Sequence, residues 1–188
     1  MPTSLTYLDA QVTDWLLKRL PGDAAILDVG PGAGKWGKIL RPSWPAVDAL
    51  EIHKPYVSKY DLQSIYRSVR VGDVCAWPMD GARYDLAFFG DVLEHLSAKD
   101  GMAVVEMLHA MNIVVLAIVP YNWKQGAIDG VAAERHLQAD LNDEAMAVRY
   151  PCLRRLFYAR HGREQFGAFV SKASALPRAP SWLEDAQP

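Results

Sequence analysis

Short apolar runs alternating with helix-like segments constrain this chain more than any other feature it has. The runs are Ala24 to Val29, Val47 to Ile52, Val69 to Val71, Leu86 to Phe89 and Ile113 to Val119. Between them, Trp36 to Leu40, Tyr56 to Ile65 and Lys99 to Met111 have a helical character. That order predicts a parallel sheet wound by right-handed crossovers. A leading amphipathic helix is expected from about Leu5 to Leu20, with Leu5, Leu8, Val12, Trp15, Leu16 and Arg19 spaced by three or four and Pro21 and Gly22 ending it. In the last third, Asn142 to Arg149 reads as a helix, followed by two strand-like runs, Leu153 to Ala159 and Gln165 to Val170, around His161, Gly162 and Arg163. These runs predict an antiparallel hairpin. The expected fold is therefore α/β, a doubly wound mixed sheet, mostly parallel, with a C-terminal antiparallel hairpin.

With 188 residues, half of them apolar, the chain fits one domain with a full core, expected over residues 1–172. The tail, residues 173–188, contains Pro177, Pro180 and Pro188 and no periodic apolar pattern, and is expected to be loosely held. The longest apolar run, Ile113 to Pro120, is too short to cross a bilayer, and Asp9 and Asp14 stand where a secretory signal would be apolar. The expected location is the cytoplasm, without a membrane partner. Cys75 and Cys152 lack the spacing of a zinc site and the density of a disulfide scaffold, so both are expected as reduced thiols. A formal charge of -2 provides no global field for a polyanion, although Arg149, Arg154, Arg155, Arg160 and Arg163 gather toward the C-terminal end. A small-molecule partner is expected rather than a nucleic acid.

The sharpest local signal is Ile26-Leu27-Asp28-Val29-Gly30-Pro31-Gly32-Ala33-Gly34, an apolar strand entering a glycine loop with a helix starting near Lys35. Residues without side chains let the backbone turn tightly and approach a ligand. A phosphate-cradling loop would need a glycine where Val29 stands and Ser or Thr where Trp36 stands, which argues against an ATPase. The dinucleotide fingerprint needs its third glycine where Lys35 stands, so a nicotinamide-dependent oxidoreductase is weakened but remains an alternative.

The pattern Asp28-Val29-Gly30-x-Gly32-x-Gly34 resembles motif I of the class I S-adenosylmethionine-dependent methyltransferases, and the resemblance spans roughly Leu5 to Lys172. Glu51 ends the next run, about twenty residues on, where an acidic side chain can accept from both ribose hydroxyls. Asp73, with the backbone of Val74 beside it, matches the position that the family directs at the adenine. The resemblance thus implies S-adenosylmethionine as cofactor, held by Asp28, Gly30, Gly32, Gly34, Glu51, Asp73, Val74 and Asp91. After the fourth run, Asp91-Val92-Leu93-Glu94-His95 takes the place of the Asn/Asp-Pro-Pro-Tyr of amide methyltransferases. It is similar instead to small-molecule O-methyltransferases and to enzymes that methylate terminal ribose hydroxyls of small RNAs.

In some of those relatives the Glu, the His and a later His hold a divalent metal, which here would place Mg or Mn on Glu94, His95 and His136, with Asp91 a possible further ligand. Alternatively Glu94 and His95 begin the next helix and make only local bonds. The segment Pro120 to Gly130 is too irregular for a long helix and leads into Glu134-Arg135-His136-Leu137, a substrate-side loop in which Tyr121 and Trp123 are expected as an aromatic wall and Asn122 and Gln125 as polar guides. The expected catalytic residues are His136 as general base, with Asp91 and Tyr121. The resulting expectation is methyl transfer to an oxygen of a small polar acceptor. A cofactor-binding accessory protein that has lost catalysis is the non-enzyme alternative.

Overall fold

The computed structural model describes residues 6–77 and 83–183. Seven strands form a single sheet: β1 (Ile26–Val29), β2 (Val47–Glu51), β3 (Ser68–Val71), β4 (Leu86–Gly90), β5 (Val114–Pro120), β6 (Leu153–His161) and β7 (Glu164–Ser171). Their spatial order is β3-β2-β1-β4-β5-β7-β6. The first five run parallel, β7 pairs antiparallel with β5, and β6 closes the hairpin on β7. Gly162, at φ 59°, turns that hairpin. This is the doubly wound mixed sheet with a terminal hairpin that the sequence predicts.

Every position of β1, β2, β4 and β5 is buried, because side chains alternate between two covered faces. Ile26, Phe88 and Leu116 join one core, against Val12 and Leu16 of α1 (Asp9–Leu17) and Trp36 and Leu40 of α2 (Lys35–Leu40). Leu27, Phe89 and Val115 join the other, against Val105 and Leu108 of α5 (Ala98–Ala110) and Met146 of α6 (Asp143–Arg149). Two covered faces explain why the strands appear in the sequence as unbroken apolar runs.

The expected helix from Tyr56 to Ile65 is divided. Asp61 adopts the left-handed conformation at φ 49°, which separates α3 (Lys54–Lys59) from α4 (Leu62–Ile65). The leading helix begins at Asp9, and Leu5, expected within it, lies outside the described residues. Beyond β7 the described part of the tail forms two 3₁₀ turns, Ala173–Ala175 and Ser181–Leu183, with Leu176 and Leu183 buried in the α1 core. Among the described residues no helix is long and apolar enough to cross a membrane.

β1 and β4 are neighbours, while β2 and β3 extend to one side of them and β5 to the other. At such a reversal the loops leaving the carboxyl ends of the strands diverge and open a crevice, the usual ligand position of open α/β sheets.

Candidate active site

A cavity of about 520 Å³ occupies that crevice. Gly30, Gly32 and Gly34 turn the chain out of β1 at φ 65°, 53° and 75°, a region open to glycine at little cost. Gly30 and Gly32 line the cavity. A Cβ on Gly30 would lie 2.8 Å from Val92 Cγ2, so the loops after β1 and β4 touch only because no side chain is there. Gly34, expected at the ligand, lies off the cavity instead, and a Cβ on it would meet Ile65 Cδ1 at 2.6 Å. Its role is to let α4 pack.

Asp28 is likewise off the cavity. It is buried beneath the loop and accepts the Tyr66 hydroxyl at 2.5 Å, while the Tyr66 oxygen accepts the Gly37 N–H at 3.0 Å. Burial pushes the Asp28 carboxyl up to about 7, with the Tyr66 bond pulling it back. Asp28 therefore braces α2 through Tyr66, and the loop above it inherits that rigidity. Glu51 does line the cavity, accepting the His53 N–H at 2.7 Å and the Gly32 N–H at 3.3 Å. Its burial raises the pKa and those N–H groups lower it. Asp73, Val74 and Asp91 complete the set of expected cofactor residues at the cavity.

Also lining the cavity, Glu94 and His95 sit on a separate 3₁₀ turn, Leu93–His95, and α5 starts three residues later, capped by Ser97 accepting the Asp100 N–H at 3.1 Å. Glu94 is only 1% exposed, and neither carboxylate oxygen has a hydrogen-bond partner among the described residues. Leaving such a group unpaired is costly, so its place calls for a ligand or a proton. Burial and the neighbouring Asp91 charge hold it well above the ordinary carboxylate range. His95 and His136 meet edge to face with ring centroids 4.7 Å apart, and one ligand atom each from Glu94, His95 and His136 lies within 4.8 Å of the others. The Nδ1 atoms of both rings lie against backbone carbonyls, His95 against Arg135 at 3.2 Å and His136 against Trp123 at 2.7 Å. Donation from Nδ1 leaves Nε2 of each ring as a neutral base or ligand. Burial, then His136, pushes His95 down to about 4, and burial lowers His136 as well.

His136 reaches this triangle because the loop between β5 and α6 folds back. Its stem is closed by the Asn122 N–H donating to the Leu141 carbonyl at 2.8 Å, and its tip turns at Asp129 and Gly130, both with positive φ. The Glu94 carbonyl accepts from Leu137 and Gln138 N–H groups at 2.8 and 3.0 Å. Gln138, 3% exposed, locks the two segments together: its Nε2 donates to the carbonyls of Leu93 at 2.8 Å and Leu96 at 3.2 Å and contacts the Tyr150 hydroxyl at 2.7 Å. Gln138→Leu keeps the volume and removes these bonds. It is expected to lower stability by about 2–4 kcal/mol in urea unfolding, since several buried polar groups lose their partner together.

Tyr121, expected in the aromatic wall and in catalysis, does not reach the cavity. It packs across Gly167, where a Cβ would fall on its ring, and its hydroxyl donates to Asp143 at 2.6 Å. Trp123 and Phe166 form the wall instead, with ring centroids 6.4 Å apart. Sequence reasoning did not single out Tyr66 or Gln138, whose roles come from long-range contacts and carry no spacing signal. Glu134 was passed over although it stands within the Glu-Arg-His-Leu segment.

Comparison with protein-family models and with curated proteins finds no match. Among solved structures, the DhpI–SAH complex matches with a TM-score of 0.64 at 18% identity, over 92% of this chain and 87% of that one. The N-terminal domain of EvdMO1, solved in the presence of SAH and D-fucose, matches with 0.61 at 14% identity, over 87% of this chain and 82% of that domain. This chain spans 40% of the full EvdMO1 chain. The methyltransferase domain of bacterial CtHen1 matches with 0.61 at 14% identity, over 87% and 97% of the two chains. The glycine loop, the acidic strand ends and the strand order agree with these likenesses: the chain has the fold of the class I S-adenosylmethionine-dependent methyltransferases.

Proposed function

We propose that this protein is an O-methyltransferase that uses S-adenosylmethionine and acts on a small polar acceptor, with a divalent ion such as Mn or Mg on Glu94, His95 and His136. The observation that carries this reading is the buried, unpartnered Glu94 carboxylate beside two imidazoles whose Nδ1 atoms lie against carbonyls. One carboxylate and two neutral imidazoles suit such an ion, and orientation of each ring through its other nitrogen is the usual support for a ligating histidine. The SAH present in the DhpI and EvdMO1 structures supports the cofactor assignment.

In this reading Gly30, Gly32 and Glu51 hold the cofactor, Glu51 accepting from the ribose, with Asp73 and Val74 at the adenine. Residues 1–172 act as one methyltransferase domain with 173–188 as its tail, in the cytoplasm. The transfer forms one C–O bond and breaks one C–S bond: the acceptor oxygen attacks the methyl carbon in line, the sulfonium leaves as a neutral thioether, and the hydroxyl proton passes to solvent. When bound, the ion lowers the pKa of the acceptor hydroxyl. The chain itself holds the oxygen and the methyl in one geometry, which for an already activated methyl is most of the task.

Calorimetry with SAH and, separately, NAD tests the cofactor, and methyl transfer with and without chelator tests the ion. Tight SAH binding, no NAD binding, and turnover lost in chelator and restored by Mn are expected. Turnover that persists in chelator and falls as the medium is acidified through the His136 pKa would make His136 a free base instead. Glu51→Ala is expected to weaken SAH binding by about 1.5–3 kcal/mol through loss of charge-assisted bonds, in a protein that still folds. An unchanged dissociation constant would remove Glu51 from the site.

A further inference from the structure

The cavity lining carries a one-sided charge. Six of its residues are carboxylates: Glu51, Asp73, Asp91, Glu94, Asp100 and Glu134. Among the described residues that line it there is no Lys or Arg. The basic residues that gather near the C-terminus, Arg149 and Arg155, are instead committed to Asp140 and Asp143.

On this basis, and resting on the function proposed above, we infer that the acceptor is an uncharged ring compound bearing adjacent hydroxyls, and that phosphorylated or carboxylated acceptors, nucleic-acid ends included, are excluded. Side-chain recognition of phosphate rests on Arg forks or Lys ammonium groups, and the described residues of the lining offer none. A divalent ion on the triangle would be formally balanced by Glu94 and its neighbour Asp91, so it leaves no surplus positive charge for an anionic tail. Asp100 and Glu134, the two lining carboxylates engaged neither by the cofactor nor by the ion in this reading, repel such a tail across the cavity, where charge acts more strongly than in water. A cationic acceptor would instead meet the positive charge of the sulfonium at the transfer position.

The ring follows from the aromatic part of the lining. Trp123 and Phe166, with ring centroids 6.4 Å apart, line the cavity, as do the apolar side chains of Leu96 and Leu137. Flat aromatic surfaces favour a ligand with apolar faces and hydroxyls at its edge. Trp123 also supplies the carbonyl that holds His136, at 2.7 Å, so the ring surface and the oxygen-directing imidazole are placed by one residue. Adjacent hydroxyls suit a centre with three protein ligands and open positions beside them.

The test uses probes that share a diol and differ in charge, with SAH and Mn uptake measured first so that failure of the underlying function is seen separately. Catechol, 3,4-dihydroxybenzoate and dopamine form one set, and methyl β-D-galactopyranoside with galactose 6-phosphate the other. Binding to the Mn-loaded protein, saturated with sinefungin as an unreactive cofactor analogue that carries an ammonium group near the place of the sulfonium, is followed by calorimetry. In at least one set the neutral probe is expected to bind about tenfold or more tightly than its anionic partner, and dopamine no more tightly than catechol. Leu137 is 59% exposed at the rim, and Leu137→Arg is expected to erase most of that preference by restoring a cation. Equal or tighter binding of the anionic probes, a tenfold preference for dopamine, no binding by any probe, or an unchanged preference in Leu137→Arg would each overturn the inference.

Discussion

Glu94→Gln is expected to reduce ion-dependent methyl transfer by at least ~100-fold while making the ion-free protein more stable. Both effects have one origin. The carboxylate is 1% exposed and unpartnered among the described residues, so in the absence of an ion the folded state carries an unsolvated acid. Removing the ionisable group should relieve about 1–3 kcal/mol, visible as a higher Tm in chelator. The pH dependence has a definite sign. The folded-state pKa of Glu94 is raised, so protons bind the folded chain more tightly than the unfolded one. Its contribution to stability is fully present below the ordinary carboxylate range and is lost as pH rises through the folded value. In chelator, wild type should therefore fall behind Glu94→Gln as pH rises above the ordinary carboxylate range, and Mn should reverse their order. A variant that melts lower than wild type in chelator and still turns over would show that Glu94 is a structural acid. The pattern is a local rule broken at a functional position, with stability given up where the ligand binds.

How far the sequence discloses this molecule differs by level. The sheet was legible because β1, β2, β4 and β5 are covered on both faces, and complete burial writes itself as continuous apolar runs. The break at Asp61 was not, since one left-handed residue interrupts no apolar period. Around the cavity, Gly30, Gly32, Glu51, Asp73 and Asp91 come together as their order along the chain implies, because each ends or follows a strand that leads to the same crevice. Asp28 and Gly34 belong to the same motif but face beneath the loop and toward α4, a distinction of side-chain direction that spacing alone does not carry. Tyr121 and Trp123 differ for a similar reason. They are two residues apart, and the positive φ of Asn122 between them turns one onto Gly167 and the other toward the cavity. Gln138 was invisible, as its worth lies in carbonyls more than forty residues away at Leu93 and Leu96.

Gly32→Val is expected to lower SAH affinity by more than ~100-fold, about 3 kcal/mol, the largest loss of binding for a single change in the glycine loop. Gly32 sits at φ 53°, where a β-branched residue is strained, and its N–H is directed at the Glu51 carboxylate at 3.3 Å. Valine would therefore shift the turn, loosen the Glu51 contact, and add two methyl groups where the cavity wall is bare backbone. The fold should persist, because Gly32 belongs to neither core cluster and the strand beneath it is held by pairing with β2 and β4 on both sides. Gly32→Ala separates the two causes. It keeps much of the backbone strain with a single methyl, so affinity should rank Gly above Ala above Val. Circular dichroism establishes that each variant is folded, and calorimetry with SAH measures the ranking. Undiminished SAH binding by a folded Gly32→Val would place the cofactor away from this loop and sink the assignment of the crevice between β1 and β4 as its site.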